Sequence, residues 1–476
     1  MEPNIAAPFL IAFRPPRRSG FHNRPEFGAL KEWYEAERTG GVCALIGTFG
    51  SGKSALLNEL IDHLESKKRS TPYAAVPAFV YSFDLGLSPQ DCFRKLVRFI
   101  REDVRRALGL STIATSEEQR LDRAFLLEVL QSDLPCSINI ILDAVEKASD
   151  EFEALDGRLV SEELNALLTD SVRGNLDKVT WFVSSRYEPK DLAFQASQHL
   201  VNVKSSTGNQ SNFARYNPIN IGALPLETCE KILSQDYAIR APSDVLNKLC
   251  KRCGCHAITM QLMGSYIKNF CDGDANRVTQ LDIFVGHDLI AETPSQRMSL
   301  EYYTAIRNLH RDIVINYCRA MKLKDPLALE LLELVCLFRK GSSTQTLTRL
   351  FIIPHKSLEL SSHKGNPTQL QKTSLEELTS KLMWLSDLGL LQFIDAVASV
   401  HVAIRSHVSS MMNPLRREFA YRIICIDLIA SQPYIHNAVD DVQYPVPGTK
   451  NAIAISPTTL SKMPSDAAER MRELVG

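Results

Sequence analysis

The stretch "GGVCALIGTFGSGKSALLNELIDHLES", residues 40–66, decides the fold. It begins as an apolar run entered through glycines, passes through "GTFGSGKS" (Gly47–Ser54), and leaves on a helical pattern. A strand, a glycine-rich loop and a helix in that order present backbone N–H groups and a helix N-terminus to a phosphate. The octapeptide satisfies G-x-x-x-x-G-K-[ST] at every fixed position. Gly47, Gly50 and Gly52 let the backbone turn its N–H groups inward, and Thr48, Phe49, Ser51 and Ala55 complete the cradle. Lys53 is placed to reach the β- and γ-phosphates, and Ser54 to offer its hydroxyl to Mg²⁺. These residues are expected to bind a nucleoside triphosphate, read as ATP/ADP with Mg²⁺.

Working outward, the loop needs an acidic partner for the metal. The apolar run "INIILDAVE" places Asp143 at the C-terminal edge of a strand, where ligands bind in such sheets. Glu146 lies three residues on and is expected to orient or polarise the attacking water. "KVTWFVSSR" (Lys178–Arg186) ends in two hydroxyls and Arg186, groups that can report a γ-phosphate. A further strand is expected at "AFVYSFDL" (Ala78–Leu85), with helices over about 90–108 and 118–130. Strands apolar on both faces, alternating with helices, predict an α/β fold with a parallel sheet covered on both sides.

Ahead of the loop, "PEFGALKEWYEAER" predicts a short amphipathic helix with Phe27, Leu30 and Trp33 or Tyr34 on one face. The earlier "AAPFLIAF" is apolar, but Arg14, Arg17 and Arg18 follow it, the reverse of a signal peptide. Beyond about residue 220 the patterns become helical, with strands only at "LLQFID" and "ASVHVAI", and the last 35 or so residues read as loose loop with one short helix.

At 476 residues the chain is too long for one core. Hydrophobic content of 45% and charged content of 23% are ordinary globular values and exclude extensive disorder. Lys plus Arg (54) balances Asp plus Glu (55), so no global charge pulls the chain to nucleic acid or anionic membrane. Eleven cysteines, odd in number and irregular in spacing, suit a reducing compartment. No uncharged apolar run approaches the ~18 residues of a membrane span. A soluble, cytoplasmic protein is expected.

Taken in order, these motifs resemble the STAND class of P-loop NTPases, signal-transduction ATPases that include the NB-ARC and NACHT groups. "FHNRPEF" is similar to that class's F-x-G-R-x-x-E lead-in, with Asn23 at the usual glycine. "FVYSFDLGLSPQDCF", "LDAVEKASDEFEALDGRLVSEELNALL" and "VSSRYEPKDL" resemble its second strand, its LDGLE strand end with the following helix, and its TSR sensor strand. "INIGALPLETCEKIL" resembles the start of a helical lid. In "LCKRCGCHAITMQLMGSYI", His256 takes the place of the family proline near the adenine. "ALELLELVCLFRKGSS", "LTSKLMWLSDLGLLQF" and "VHVAIRSHV" are similar to a winged-helix domain.

The resemblance covers about residues 20–415 and implies a P-loop NTPase (AAA-like) domain followed by a helical lid and a winged-helix domain. It implies boundaries at 1–38 (lead-in), 39–205 (nucleotide binding), 206–290 (lid), 291–415 (winged helix) and 416–476 (tail). It adds Arg24, Pro225 and His401 as nucleotide contacts, His401 at the ADP β-phosphate, with Val402 where relatives carry aspartate. It also implies an ATP/ADP-dependent switch with slow hydrolysis, opening into an assembly in signalling or defence. Effector and sensor modules are expected in other chains or absent, or the chain is a core fragment of a longer protein.

Two other constellations are weighed. "CKRCGCH" (Cys250, Cys253, Cys255, His256) has one C-x-x-C but no second at finger or ribbon distance, so a lid helix is read there rather than zinc. The winged-helix segment "STQTLTRLF" holds one arginine and no lysine, which favours packing over a DNA groove. The rival reading is a constitutive AAA-like ATPase of the DNA-associated initiator type; a small-molecule kinase is disfavoured by the long helical second half.

Overall fold

Alternate residues of each central strand leave for opposite sides of one sheet, and that alternation organises the first part of the chain. Strands β1 (Phe9–Ile11), β2 (Gly41–Ile46), β3 (Ala78–Ser82), β4 (Ile138–Asp143), β5 (Val179–Ser185) and β6 (Tyr216–Asn220) run in the order β1-β3-β4-β5-β2-β6. Every neighbouring pair is parallel. Val42, Ala44 and Ile46 join Phe79, Tyr81, Ile140, Leu142, Trp181 and Val183 in one core, whereas Cys43 and Leu45 join Val80, Ile141 and Phe182 in another. Helices α1 (Pro25–Glu35) and α2 (Lys53–Ser70) cover the second face with Leu30, Trp33, Leu56, Leu60 and Leu64. Helices α3 (Pro89–Arg98), α4 (Arg123–Ser132) and α5 (Glu162–Arg173) cover the first with Phe93, Leu96, Leu126, Val129, Leu164 and Leu168. Burial on both faces is why these strands read as continuous apolar runs.

This computed structural model describes residues 9–11, 22, 24–36, 40–70, 76–83, 89–110, 123–132, 134–145, 161–197, 215–279, 300–338, 341–352, 370, 373–430, 442–445 and 452–455. The chain divides into two units: 1–231 with 253–259 and 290–303, and 232–252 with 260–289 and 304–476. In the first unit, local chemistry sets the helix ends. Pro25 opens α1, and α5 starts on Ser161, whose hydroxyl accepts from the Leu164 N–H at 3.2 Å, and stops at left-handed Gly174.

Two strands lie outside the 39–205 stretch expected to hold the sheet. Phe9–Ile11 pairs with Ala78–Val80, and Tyr216–Asn220 pairs with β2. The second of these, "YNPIN", carries Pro218 and two asparagines, a composition an edge strand tolerates and an apolar-run search passes over. The order also separates β2 from β4 by β5, so the strand bearing Asp143 reaches the phosphate loop across Ser184.

The second unit is mainly helical: α6 (Ser243–Arg252), most of α7 (Ala257–Phe270) and of α8 (Leu300–Lys324), then α9 (Pro326–Val335), α10 (Leu375–Asp387), α11 (Val402–Met411) and α12 (Pro414–Ala430). A three-stranded antiparallel sheet, β7 (Ser342–Ser343), β8 (Gln392–Ile394) and β9 (Val397–Ser399), has the order β7-β9-β8. The stretch "ASVHVAI" was expected as strand throughout; it is strand only to Ser399, because Ile404 and Val408, four residues apart, bury a helical stripe. Ahead of the last 35 residues, α12 has 17 residues, and within them, where loose loop and a short helix were expected, β10 (Val442–Pro445) pairs with β11 (Ala452–Ile455). Among the described residues no helix is long and apolar enough to cross a membrane.

Candidate nucleotide site

The loop leaves β2 still tied to the sheet, the Gly47 N–H donating to the Ser185 carbonyl at 3.1 Å. Gly50 and Gly52 take left-handed conformations, φ 72 and 104. Lys53, at the start of α2, folds back so that Nζ donates to the carbonyls of Gly47 (2.7 Å) and Thr48 (3.1 Å). Its ammonium is buried inside the turn, positioned where a phosphate would need a positive partner.

At the second corner, Ser54 Oγ donates to both Asp143 carboxylate oxygens, at 3.1 and 3.0 Å. Ser184 Oγ donates to Oδ1 and accepts from the Ala144 N–H at 2.8 Å. Ala144 follows Asp143 with φ 60, so the chain leaves β4 through a left-handed turn that a non-glycine residue adopts at a cost. A hydroxyl beside a buried carboxylate is an oxygen set that fits Mg²⁺, which keeps several waters and substrate oxygens for its remaining positions. Among the described residues no cluster of three or more His, Cys, Asp or Glu stands ready for a metal. The positioning role of Ser184 escaped the sequence reading, although "VSSR" had marked both hydroxyls.

Arg186 places its guanidinium carbon 5.6 Å from the centre of the Phe49 ring, a cation–π approach to the loop itself. Arg24 is buried as a brace: Nη1 donates to the Ser51 carbonyl at 2.5 Å, and Nη2 to the Gly222 carbonyl at 2.7 Å and to Glu26 at 3.0 Å. Pro225 accepts from the Cys229 N–H at the start of a short helix, and its neighbour Leu224 donates to the Cys255 carbonyl at 2.8 Å. Glu146 lies outside the described residues. His401 sits in the second unit, one residue before α11.

Sequence reasoning placed His256 near a base; the structure puts it against the loop. Left-handed Gly254 and Cys255 (φ 62 and 49) turn residues 253–259 toward the loop. His256 Nε2 lies 3.4 Å from Thr48 Oγ1 and Nδ1 lies 3.1 Å from Thr259 Oγ1, while the Ile258 N–H donates to the Gly50 carbonyl at 3.2 Å. Burial pushes the imidazole down to about 3, opposed by a hydrogen bond with the Phe49 backbone and helped by the charges of Lys53 and Arg24. The ring is therefore neutral at physiological pH.

Residues 21–186 match the family model described as Nephrocystin 3, N-terminal. No curated protein sequence matches the chain. Among solved structures it is similar to a signal transduction ATPase with numerous domains (STAND) protein with a tetratricopeptide repeat sensor from Pyrococcus horikoshii. That likeness has 15% identity and TM-score 0.44, over 88% of this chain and 47% of the other, so the chain spans about half that protein's length. A Walker-type ATPase of Pyrococcus abyssi is 12% identical over 83% of this chain and 97% of its own, TM-score 0.35. The ORC2 protein of Aeropyrum pernix is 14% identical over 88% and 97%, TM-score 0.32.

Proposed function

We propose that the chain is a P-loop NTPase that acts as an ATP/ADP-dependent molecular switch of the STAND class. One observation supports the switch above others: the loop is held from outside by residues 253–259, through the Gly50 carbonyl and the Thr48 hydroxyl. A loop clasped by the segment that opens α7 couples what the site holds to an element beyond it, which is what a two-state device requires.

In this reading Mg²⁺ neutralises phosphate charge and polarises the phosphoryl group when bound. The chain's own residues do the rest. Gly47–Ser54 supplies inward N–H groups and the Lys53 ammonium; Ser54 and Asp143 hold the metal, and Ser184 orients Asp143. Glu146 orients water, and Arg186 leaves Phe49 to answer a γ-phosphate. The second unit, with its helices and three-stranded sheet, serves as helical lid and winged-helix domain in the NB-ARC and NACHT manner, and His401 stabilises the diphosphate state. ATP in place of ADP opens the assembly surface, and slow hydrolysis resets it.

The test is light scattering of the purified chain with ADP and with a non-hydrolysable ATP analogue, beside steady-state turnover. A change in mass or shape with little turnover supports the switch. Unchanged size together with fast, DNA-stimulated turnover would favour the constitutive ATPase instead.

A further inference from the structure

Gly50 occupies a position that the phosphate-loop pattern leaves free, yet the structure demands glycine there. A Cβ would lie 2.4 Å from Ile258 Cγ2 and 3.0 Å from His256 Cε1. Residues 253–259 therefore add a constraint of their own to that of the left-handed turn (φ 72), so the loop is shaped on two sides. On the outer side His256 is the polar member. Its ring is 2% exposed, with Thr259, fully buried, beyond it.

The two ring nitrogens face two hydroxyls. A hydrogen bond with the Phe49 backbone opposes the effect of burial on the ring. Nε2 faces Thr48 Oγ1 and Nδ1 faces Thr259 Oγ1, so a neutral ring donates from one nitrogen and accepts at the other. Both ring nitrogens are engaged without any charge. We propose that His256 is a positioning residue for the phosphate loop, its Nε2 holding the Thr48–Phe49–Gly50 turn from outside and thereby setting how long the site retains a nucleoside diphosphate. This rests on the nucleotide-binding reading above.

The test uses the full chain and release of a fluorescent ADP analogue, followed by stopped flow in wild type, His256→Leu and His256→Gln. Leucine fills the space without a polar group; glutamine returns one close to the Nε2 position. Loss of a buried hydrogen bond is expected to speed release by about tenfold in His256→Leu, with His256→Gln within about threefold of wild type. Release from wild type is expected to be flat between roughly pH 6 and 8, because a neutral ring has nothing to titrate there. A role in packing alone would make both variants equally fast or leave both unchanged. Either result overturns the proposal while leaving nucleotide binding intact. Should His256→Leu fail to fold, Thr48→Val removes the hydroxyl from the other side of the same contact and must also speed release. If wild type binds no ADP analogue at all, the nucleotide reading itself fails and this inference with it.

Discussion

Replacing Gly50 by alanine probes the contact between the loop and residues 253–259. The new Cβ meets Ile258 Cγ2 at 2.4 Å, with Ile258 Cβ and His256 Cε1 each at 3.0 Å, and the backbone φ is +72. The left-handed conformation alone costs alanine roughly 1–2 kcal/mol. Carbon atoms prefer about 3.5–4.0 Å, so Ile258 must retreat by about 1 Å, an overpacking worth roughly 1–3 kcal/mol. The sum is about 2–5 kcal/mol. In an Ile258→Ala background Cγ2 is gone, and Gly50→Ala should cost only about 1–3 kcal/mol, a coupling of roughly 1–2 kcal/mol. The assay is urea unfolding by fluorescence. The chain has three tryptophans, so a Trp384→Phe background leaves Trp33 and Trp181, both buried in the first unit, as its reporters. Equal costs in the two backgrounds, within about 0.5 kcal/mol, would refute the claim that the loop rests on Ile258.

His256 makes the first unit sensitive to acid. Unfolded, the imidazole titrates near its ordinary value of 6.5; folded, it stays neutral down to about 3, facing the Phe49 backbone, Lys53 and Arg24. Its stabilising contribution is therefore present above pH ~6.5 and falls by up to about 1.4 kcal/mol per pH unit below it. His256→Gln should flatten that slope in urea titrations at pH 7 and pH 5, and an unchanged slope would assign the acid sensitivity elsewhere. Ala144→Gly relieves a left-handed alanine (φ 60) beside Asp143 and should stabilise the first unit by about 0.5–1 kcal/mol; destabilisation would mean the turn is not strained. Ser54→Ala removes the hydroxyl between the loop and Asp143. It should weaken Mg²⁺-dependent binding of a fluorescent ATP analogue about tenfold or more and leave binding in EDTA nearly unchanged; equal losses in both would remove Ser54 from the metal site.

The parts of this fold legible in the sequence are those whose signals are local. Gly47–Ser54 lies between a buried run and an amphipathic helix, and Asp143 closes a strand buried on both faces, so spacing alone located both. β6 was not legible because an edge strand with exposed Pro218 and Asn220 and half-buried Asn217 lacks the apolar run that marked the other strands. Ser184 was seen only as a strand-tip hydroxyl, since its bond to Asp143 depends on β5 lying between β2 and β4, a fact of strand order. The His256 contact was hidden most deeply. It joins residues 208 apart in sequence and depends on consecutive left-handed residues at Gly254 and Cys255, the second of which carries no sequence signal for that conformation.

The most direct measurement of the central claim is to denature the purified chain and identify released nucleotide by chromatography, in wild type and in Lys53→Ala. The account predicts near-stoichiometric adenine nucleotide, chiefly ADP, from wild type and little or none from the variant. No released nucleotide, together with equal ATP affinity in the two proteins, would contradict it.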